Sequence, residues 1–490
     1  MTAVWSMVCA AVMVACASSP RQVSSPAKLP ARFTSSDGPR LPDRWWESFD
    51  DQDLNRLVKE ALEASFTLRQ AWDRLAQAKA LARKVGAGML PDLDAQAGAK
   101  AGWSKQGAAL GWNVGLVATY EVDLWGRVRS ERAAERFAVL ATREDLSTAA
   151  ISLSAEVTLC WFQLLERRAQ LSLLRAQREL SVQVLDGVML RFGVGQASAA
   201  DVLQQRQSVE SLAGDESGVR GQIGVLENQL AVLLGKAPGT FVAPVRDSLP
   251  SLGPLPGAGV PAALLARRPD VRGALRRVEE ADQRVGAALA DRWPRLSLSA
   301  TIGASGTYGP PALWTWLANL AANLVAPLFD GGSRRAEVER VRAKASEALN
   351  KYAQVVLTAI KEVEDALGRE RESTRQVESL ERQLRLSGQV VGQLRAAYLQ
   401  GAEEYPRVLD VLIRHQLLER ALLAARRERL EHRVALCRGL AGAFPIPAPG
   451  KAASRQDPED APGRASGRAP GRAPGREPGR ALASSGRRIP

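Results

Sequence analysis

The chain has 490 residues, 46% hydrophobic and 24% charged, which is enough apolar material for a large folded body and excludes wholesale disorder. With only two histidines (His415, His432) and four scattered cysteines (Cys9, Cys16, Cys160, Cys437) that form no CxxC pair, no metal site, disulfide framework or His-built active site is indicated. The net charge of +13 takes +5 from residues 451–490, where nine Lys/Arg meet four Asp/Glu, and what remains is spread too thinly to suggest nucleic acid.

Residues 3–15 are small and apolar and end in VMVAC, which reads as a signal peptide over 1–15, too short to span a membrane as a helix. A Cys directly after such a region resembles a bacterial lipobox, whose thiol is acylated and becomes the new N-terminus. Cys16 is therefore the candidate lipid anchor, and 16–43 the lipidated N-terminal segment; an ordinary cleaved signal or a misassigned start codon is the alternative.

From Asp92 to Ser104 every odd position is apolar (Leu93, Ala95, Ala97, Ala99, Ala101, Trp103) and every even one is Asp, Gln, Gly, Lys or Ser, a strand with two unlike faces. Leu110 to Leu124 alternates in the same way, so the two segments predict a hairpin with strands over about 92–104 and 110–124. A second hairpin is predicted over about 294–305 and 314–328, where Leu296, Leu298, Ala300, Ile302 and Ala304 alternate with Ser, Thr and Gly. In its second strand Leu317 and Val325 break the alternation. Such strands fit either a membrane barrel, lipid on one face and water on the other, or a soluble sheet with one buried face.

Between the hairpins the chain reads as helix. From about Val128 to Met189 there is no Pro, and Leu153, Val157, Cys160, Leu164, Leu171 and Leu174 recur in steps of three, four and seven. A helix of about 60 residues is about 90 Å long, beyond a globular domain. Another is expected from about Arg334 to Gln400. The halves are related: Pro91 and Pro294 each open a strand, and the turns around Gly195 and Gly401 are each followed by Val-Leu. The reading is a duplicated unit over 44–235 and 262–443, joined by a Pro/Gly-rich linker at 236–261 and followed by a disordered Pro/Gly/Arg-rich tail at 444–490. Four strands cannot close a barrel, so an α+β membrane protein of this kind must oligomerise; two copies give eight strands and three give twelve.

The segments WWESFDDQDLNRLVKEAL, YEVDLWGRVR, ARRPDVRGALRRVEEA, PLFDGGSRRAEVERVRA and KEVEDAL, in that order from about Arg44 to Ala441, resemble the TolC-type outer membrane efflux factors, in particular the lipoprotein branch that partners resistance-nodulation-division pumps. The resemblance implies a homotrimer with a twelve-stranded outer-membrane β-barrel continued by a long periplasmic α-helical barrel. It also implies a periplasmic adaptor and an inner-membrane pump as partners, outer-membrane lipid around the barrel, and neither cofactor nor resident metal.

The resemblance places a gate at the periplasmic tip, in GQASAADVL and GAEEYPRVLDVL. Asp201 and Tyr398 fall where the family has a gate-bonding Asp and Tyr, and Asp410 where it has a ring-forming acid. Arg407 stands where relatives often carry an acid, and an i, i+3 pair with Asp410 is expected to neutralise that acid in part. The residues alone also allow Asp201, Tyr398 and Asp410 to be helix-cap or solvated-face groups. Trp103, Trp112, Trp125, Trp293, Trp314 and Trp316 either form interfacial belts or pack where strands meet helices. No phosphate loop, nucleophile elbow or ligand-spaced cluster points to an enzyme. The expected function is the exit duct of a tripartite efflux system for small molecules. The alternatives are a type I secretion duct for polypeptides and a periplasmic coiled-coil scaffold or adaptor.

Overall fold

The computed structural model describes residues 30–34, 38–104, 107–246, 248–308 and 314–448. The expected signal peptide, the Cys16 anchor, much of the segment 16–43 and the tail from 449 onward lie outside the described residues.

A short 3-10 helix, Trp45–Phe49, leads into α1 (Gln52–Ala64) and α2 (Phe66–Ala87), then β1 (Asp92–Ser104), β2 (Gly107–Val122) and α3 (Arg127–Gly193), which returns as α4 (Ala199–Leu233). After the joint, α5 (Pro261–Arg267) and α6 (Pro269–Ala290) precede β3 (Arg295–Tyr308), β4 (Trp314–Val325), α7 (Ser333–Leu399) and α8 (Tyr405–Leu440).

The four strands make one antiparallel sheet in the order β1-β2-β3-β4. Directly opposed residues share a face, and the register lines up the apolar ones: Ala95, Leu116, Ile302 and Ala318 form one row, Ala97, Val114, Ala304 and Trp316 the next. Gly98, Asn113, Ser305 and Thr315 form a row of the other face, which Leu317 interrupts opposite Gly303. Nothing among the described residues covers the apolar face, where Leu93, Ile302 and Leu320 are exposed, Leu320 at 84%. Gly115 and Gly303 face each other where the two halves meet, and a Cβ on Gly303 would stand 2.6 Å from the Val114 carbonyl oxygen. Glycine there permits the close approach of β2 to β3.

The strand ends differ from the alternation pattern for local reasons. β4 stops at Val325, short of 328, because Pro327 has no amide to give the ladder. β2 stops at Val122, short of 124, because the Asp123 carboxylate turns to accept the amides of Val128 (3.1 Å) and Arg129 (2.9 Å) at the start of α3. Asp330 does the same before α7, accepting from Gly332 (3.0 Å) and Arg334 (3.3 Å). Gly126 (φ 80°) and Gly332 (φ 89°) make the left-handed step into the two helices. Trp125 stacks on Trp293 at 5.1 Å and donates to the Pro294 carbonyl at 2.8 Å, so this pair packs at the strand–helix junction. Trp103 and Trp316 are exposed on the apolar face, and the Trp314 side chain is outside the described set.

α3 and α7 are 67 residues each, and at about 1.5 Å per residue each runs about 100 Å. Their core lies midway, where Trp45, Trp46, Phe49, Phe162 and Phe444 meet edge to face. Asp51 is fully buried there, its carboxylate satisfied by the amides of Asp53 (3.0 Å) and Leu54 (3.1 Å), Trp161 Nε1 (3.0 Å) and Arg246 (3.2 Å). That net of bonds ties the start of α1 to the middle of α3.

Candidate functional site

The two helical hairpins, α3–α4 and α7–α8, each turn through a glycine in the left-handed region, Gly195 (φ 73°) and Gly401 (φ 77°). Backbone bonds close both turns: Gln196 N–H to Arg191 O at 2.8 Å, and Ala402 N–H to Ala397 O at 2.9 Å. Val188 and Val202 of the first hairpin and Tyr405 and Leu409 of the second form one small buried cluster, so the tips pack on each other. Further up, Gln177 donates to Glu419 (2.7 Å), Gln163 to Glu431 (2.8 Å), and Arg420 pairs with Asp215 (2.7 Å), lacing the hairpins together.

Asp201 sits in a capping box. Its carboxylate accepts the Ser198 amide at 2.8 Å, while Ser198 Oγ accepts the Asp201 amide at 3.2 Å. No hydrogen bond joins it to Tyr398, whose hydroxyl is buried without a partner among the described residues. The Tyr398 ring instead lies under the Arg191 guanidinium, 4.2 Å from its centroid, and Arg191 also donates to the carbonyls of Tyr398 (3.2 Å) and Leu399 (3.4 Å). These bonds tie α3 to the last turn of α7.

The expected Arg407–Asp410 pair is absent. Arg407 binds Glu403 at 2.8 Å, and Asp410 binds Arg414 at 2.9 Å. Both are i, i+4 pairs with the acid nearer the helix N-terminus, the order the helix dipole favours, whereas Arg407 before Asp410 is the reverse order. Asp410 is thus balanced by Arg414 rather than Arg407.

Tyr405 and Gln205 were not singled out from the sequence. The Tyr405 hydroxyl donates to Gln205 Oε1, and Gln205 Nε2 donates to the Ser181 carbonyl at 2.6 Å, all buried. Burial, then the nearby Tyr398 and the negative charge of Asp201, push the Tyr405 hydroxyl well above the ordinary tyrosine range, so it stays a donor. The available signal was weak: Tyr405 and Pro406 open a helix, as Pro does in a first turn. Among the described residues no group of three or more His, Cys, Asp or Glu is placed to hold a metal ion.

The model of the outer membrane efflux protein family matches residues 57–236 and 260–442. The chain belongs to the outer membrane efflux protein family. The pyoverdine export outer membrane protein OpmQ of Pseudomonas aeruginosa is 29% identical over 466 residues, covering 90% of this chain and 95% of OpmQ. The toluene efflux pump outer membrane protein TtgI of Pseudomonas putida is 29% identical, covering 82% of this chain and 87% of TtgI. The solved outer-membrane channel OprN superposes with a TM-score of 0.81 at 27% identity, covering 86% of this chain and 98% of OprN. An outer membrane efflux protein of this fold lies in the outer membrane and extends into the periplasm, and the scaffold reading falls away.

Proposed function

We propose that three copies of this chain close their sheets into a twelve-stranded barrel and form the exit duct of a tripartite efflux system. The observation that carries this is the sheet: an apolar face left uncovered, with β1 and β4 each paired on one side only among the described residues. Unpaired edges are costly in lipid, and closed barrels start at about eight strands, so other copies must supply the missing neighbours. The helices continue the wall as a periplasmic tube of about 100 Å, which docks to an adaptor and an inner-membrane resistance-nodulation-division pump. Relatives named for pyoverdine export and toluene efflux support small-molecule cargo over polypeptide secretion.

In this reading residues 1–15 are removed, Cys16 carries the acyl anchor, and the stretches 44–235 and 262–443 are two repeats joined by 236–261; of the tail expected at 444–490, Phe444 and Ile446 pack on the core instead, because their apolar side chains are covered by it. The packed hairpin tips are the gate. Tyr398 holds α7 to α3 through Arg191, Asp201 and Arg407 fix the starts of α4 and α8, and three Asp410 carboxylates surround the axis, each softened by its Arg414. The test is the protein mass of the detergent-extracted particle by light scattering, followed by conductance in a planar bilayer. Three mature chains and a conducting particle are expected; a monomer or a water-soluble particle overturns the proposal.

A further inference from the structure

We propose that the cavity between the tips of α3, α7 and α8 binds a small carboxylate with an aromatic or alkyl body. The cavity holds about 190 Å³, and Val184, Val188, Val391, Leu409 and Leu412 give it an apolar lining. Its lining also carries the polar side chains of Gln183, Arg191, Arg395, Tyr398 and Tyr405, the last already bonded to Gln205. The Tyr398 hydroxyl is buried and has no partner among the described residues, although a buried phenol ordinarily finds one. Arg191 and Arg395 also line the cavity, and neither forms an ion pair among the described residues; Arg191 is engaged only by backbone carbonyls and the Tyr398 ring.

An apolar slot with a few convergent polar groups is the usual form of a small-molecule site. Apart from the Gln183 amide, which can donate or accept, and the engaged Tyr405, the polar groups of the lining are donors, two guanidinium groups and one O–H, which suits a carboxylate with two acceptor oxygens and disfavours an amine. Gly187 marks where a side chain could be introduced. It lies inside α3 and lines the cavity, and a Cβ there would meet nothing within 4 Å. A glycine inside a helix weakens it relative to alanine, and packing does not require one here. A bound carboxylate bridges α3 of the first hairpin to α7 and α8 of the second, so it stabilises the packed arrangement of the tips by mass action. The proposal extends the reading of this tip as a gate without resting on it, because binding is measured whether or not the tip moves.

The test uses the full chain in detergent, with 3-phenylpropionate as probe and its neutral amide as control, followed by saturation-transfer NMR and by titration. Expected are saturable binding of the carboxylate, binding of the amide about tenfold weaker, the loss of a charge-assisted bond, and a comparable weakening in Tyr398→Phe. Gly187→Phe, which fills the slot, should abolish saturable binding while leaving uptake into the micelle unchanged. Arg395→Glu, on an exposed helical position, should do so without touching the apolar lining. Equal binding of carboxylate and amide, or unchanged binding in both Gly187→Phe and Arg395→Glu, overturns the proposal, as does no saturable binding to the parent protein.

Discussion

Replacing Arg191 by alanine tests whether the tip is held shut by the contacts described. The change removes a guanidinium stacked 4.2 Å from the Tyr398 centroid and its two bonds, at 3.2 and 3.4 Å, to the carbonyls of Tyr398 and Leu399. The stacking contributes about 1 kcal/mol at a partly exposed site. The two long hydrogen bonds together add about 1 kcal/mol more, well below the ideal value. A total of about 2 kcal/mol shifts the equilibrium between packed and loosened tips about 30-fold. Arg191→Lys keeps the charge but not the planar fork, so it should fall between the two. The assay is amide hydrogen exchange of residues 391–412 in the detergent-solubilised particle, paired with single-channel recording. Faster exchange confined to the tip and a raised open occupancy are expected for Arg191→Ala. Exchange rates equal to those of the parent protein would refute the reasoning, because the contacts would then hold nothing that moves.

At the junction of the two halves, Gly303→Ala should destabilise the sheet by about 1–3 kcal/mol, since its Cβ would stand 2.6 Å from the Val114 carbonyl. Gly102→Ala, which meets nothing within 4 Å, is the neutral control, and thermal dissociation of the particle compares them. Glu166 has a side chain only 2% exposed, and burial pushes its carboxyl above the ordinary range, offset only in part by Arg167 and Arg427. For an acid so shifted, stability is full below the ordinary glutamate range and is lost as pH rises through the folded value. Glu166→Gln should therefore be better tolerated, relative to the parent protein, at neutral pH than at acid pH, as followed by denaturant unfolding; the same effect at both would refute this. Cys16→Ser should lower the mass of the mature chain by far more than the sulfur-to-oxygen change in intact mass spectrometry, because its acyl groups are lost; a fall equal to the sulfur-to-oxygen change alone means that Cys16 carries no lipid.

Much of this architecture is legible because its signals are periodic. The alternation in Leu93–Trp103 and Leu296–Ala304 fixes which face each residue takes, and once β2 pairs with β3 the apolar rows follow. The long helices are legible because nothing interrupts them: expected from about Val128 and Arg334, they start at Arg127 and Ser333. α3 runs on past Met189 because the interior Gly187 does not end it, and the chain leaves the helix at Gly193. The Asp201 cap is likewise local, written as Ser198-Ala-Ala-Asp201. The tip contacts are of another kind. Tyr405 and Gln205 are 200 residues apart, and Arg191 and Tyr398 are 207, so no window of sequence contains both partners. The Arg407 expectation failed within a window because two competing pairs were available and the geometry favoured the i, i+4 ones. Asp51 is buried because Trp161 and Arg246 come to it from distant elements, which no local pattern announces.

The equal length of α3 and α7, 67 residues apiece, places a constraint on how this gene can change. Deleting one residue from one helix withdraws its tip by about 1.5 Å and turns every later side chain by about 100°, so Arg191 would no longer meet Tyr398. A tolerated insertion or deletion must therefore occur in both long helices, and in whole heptads of seven residues if the packing seam is to persist. Chimaeras between ducts of different reach should assemble only when both long helices are exchanged together.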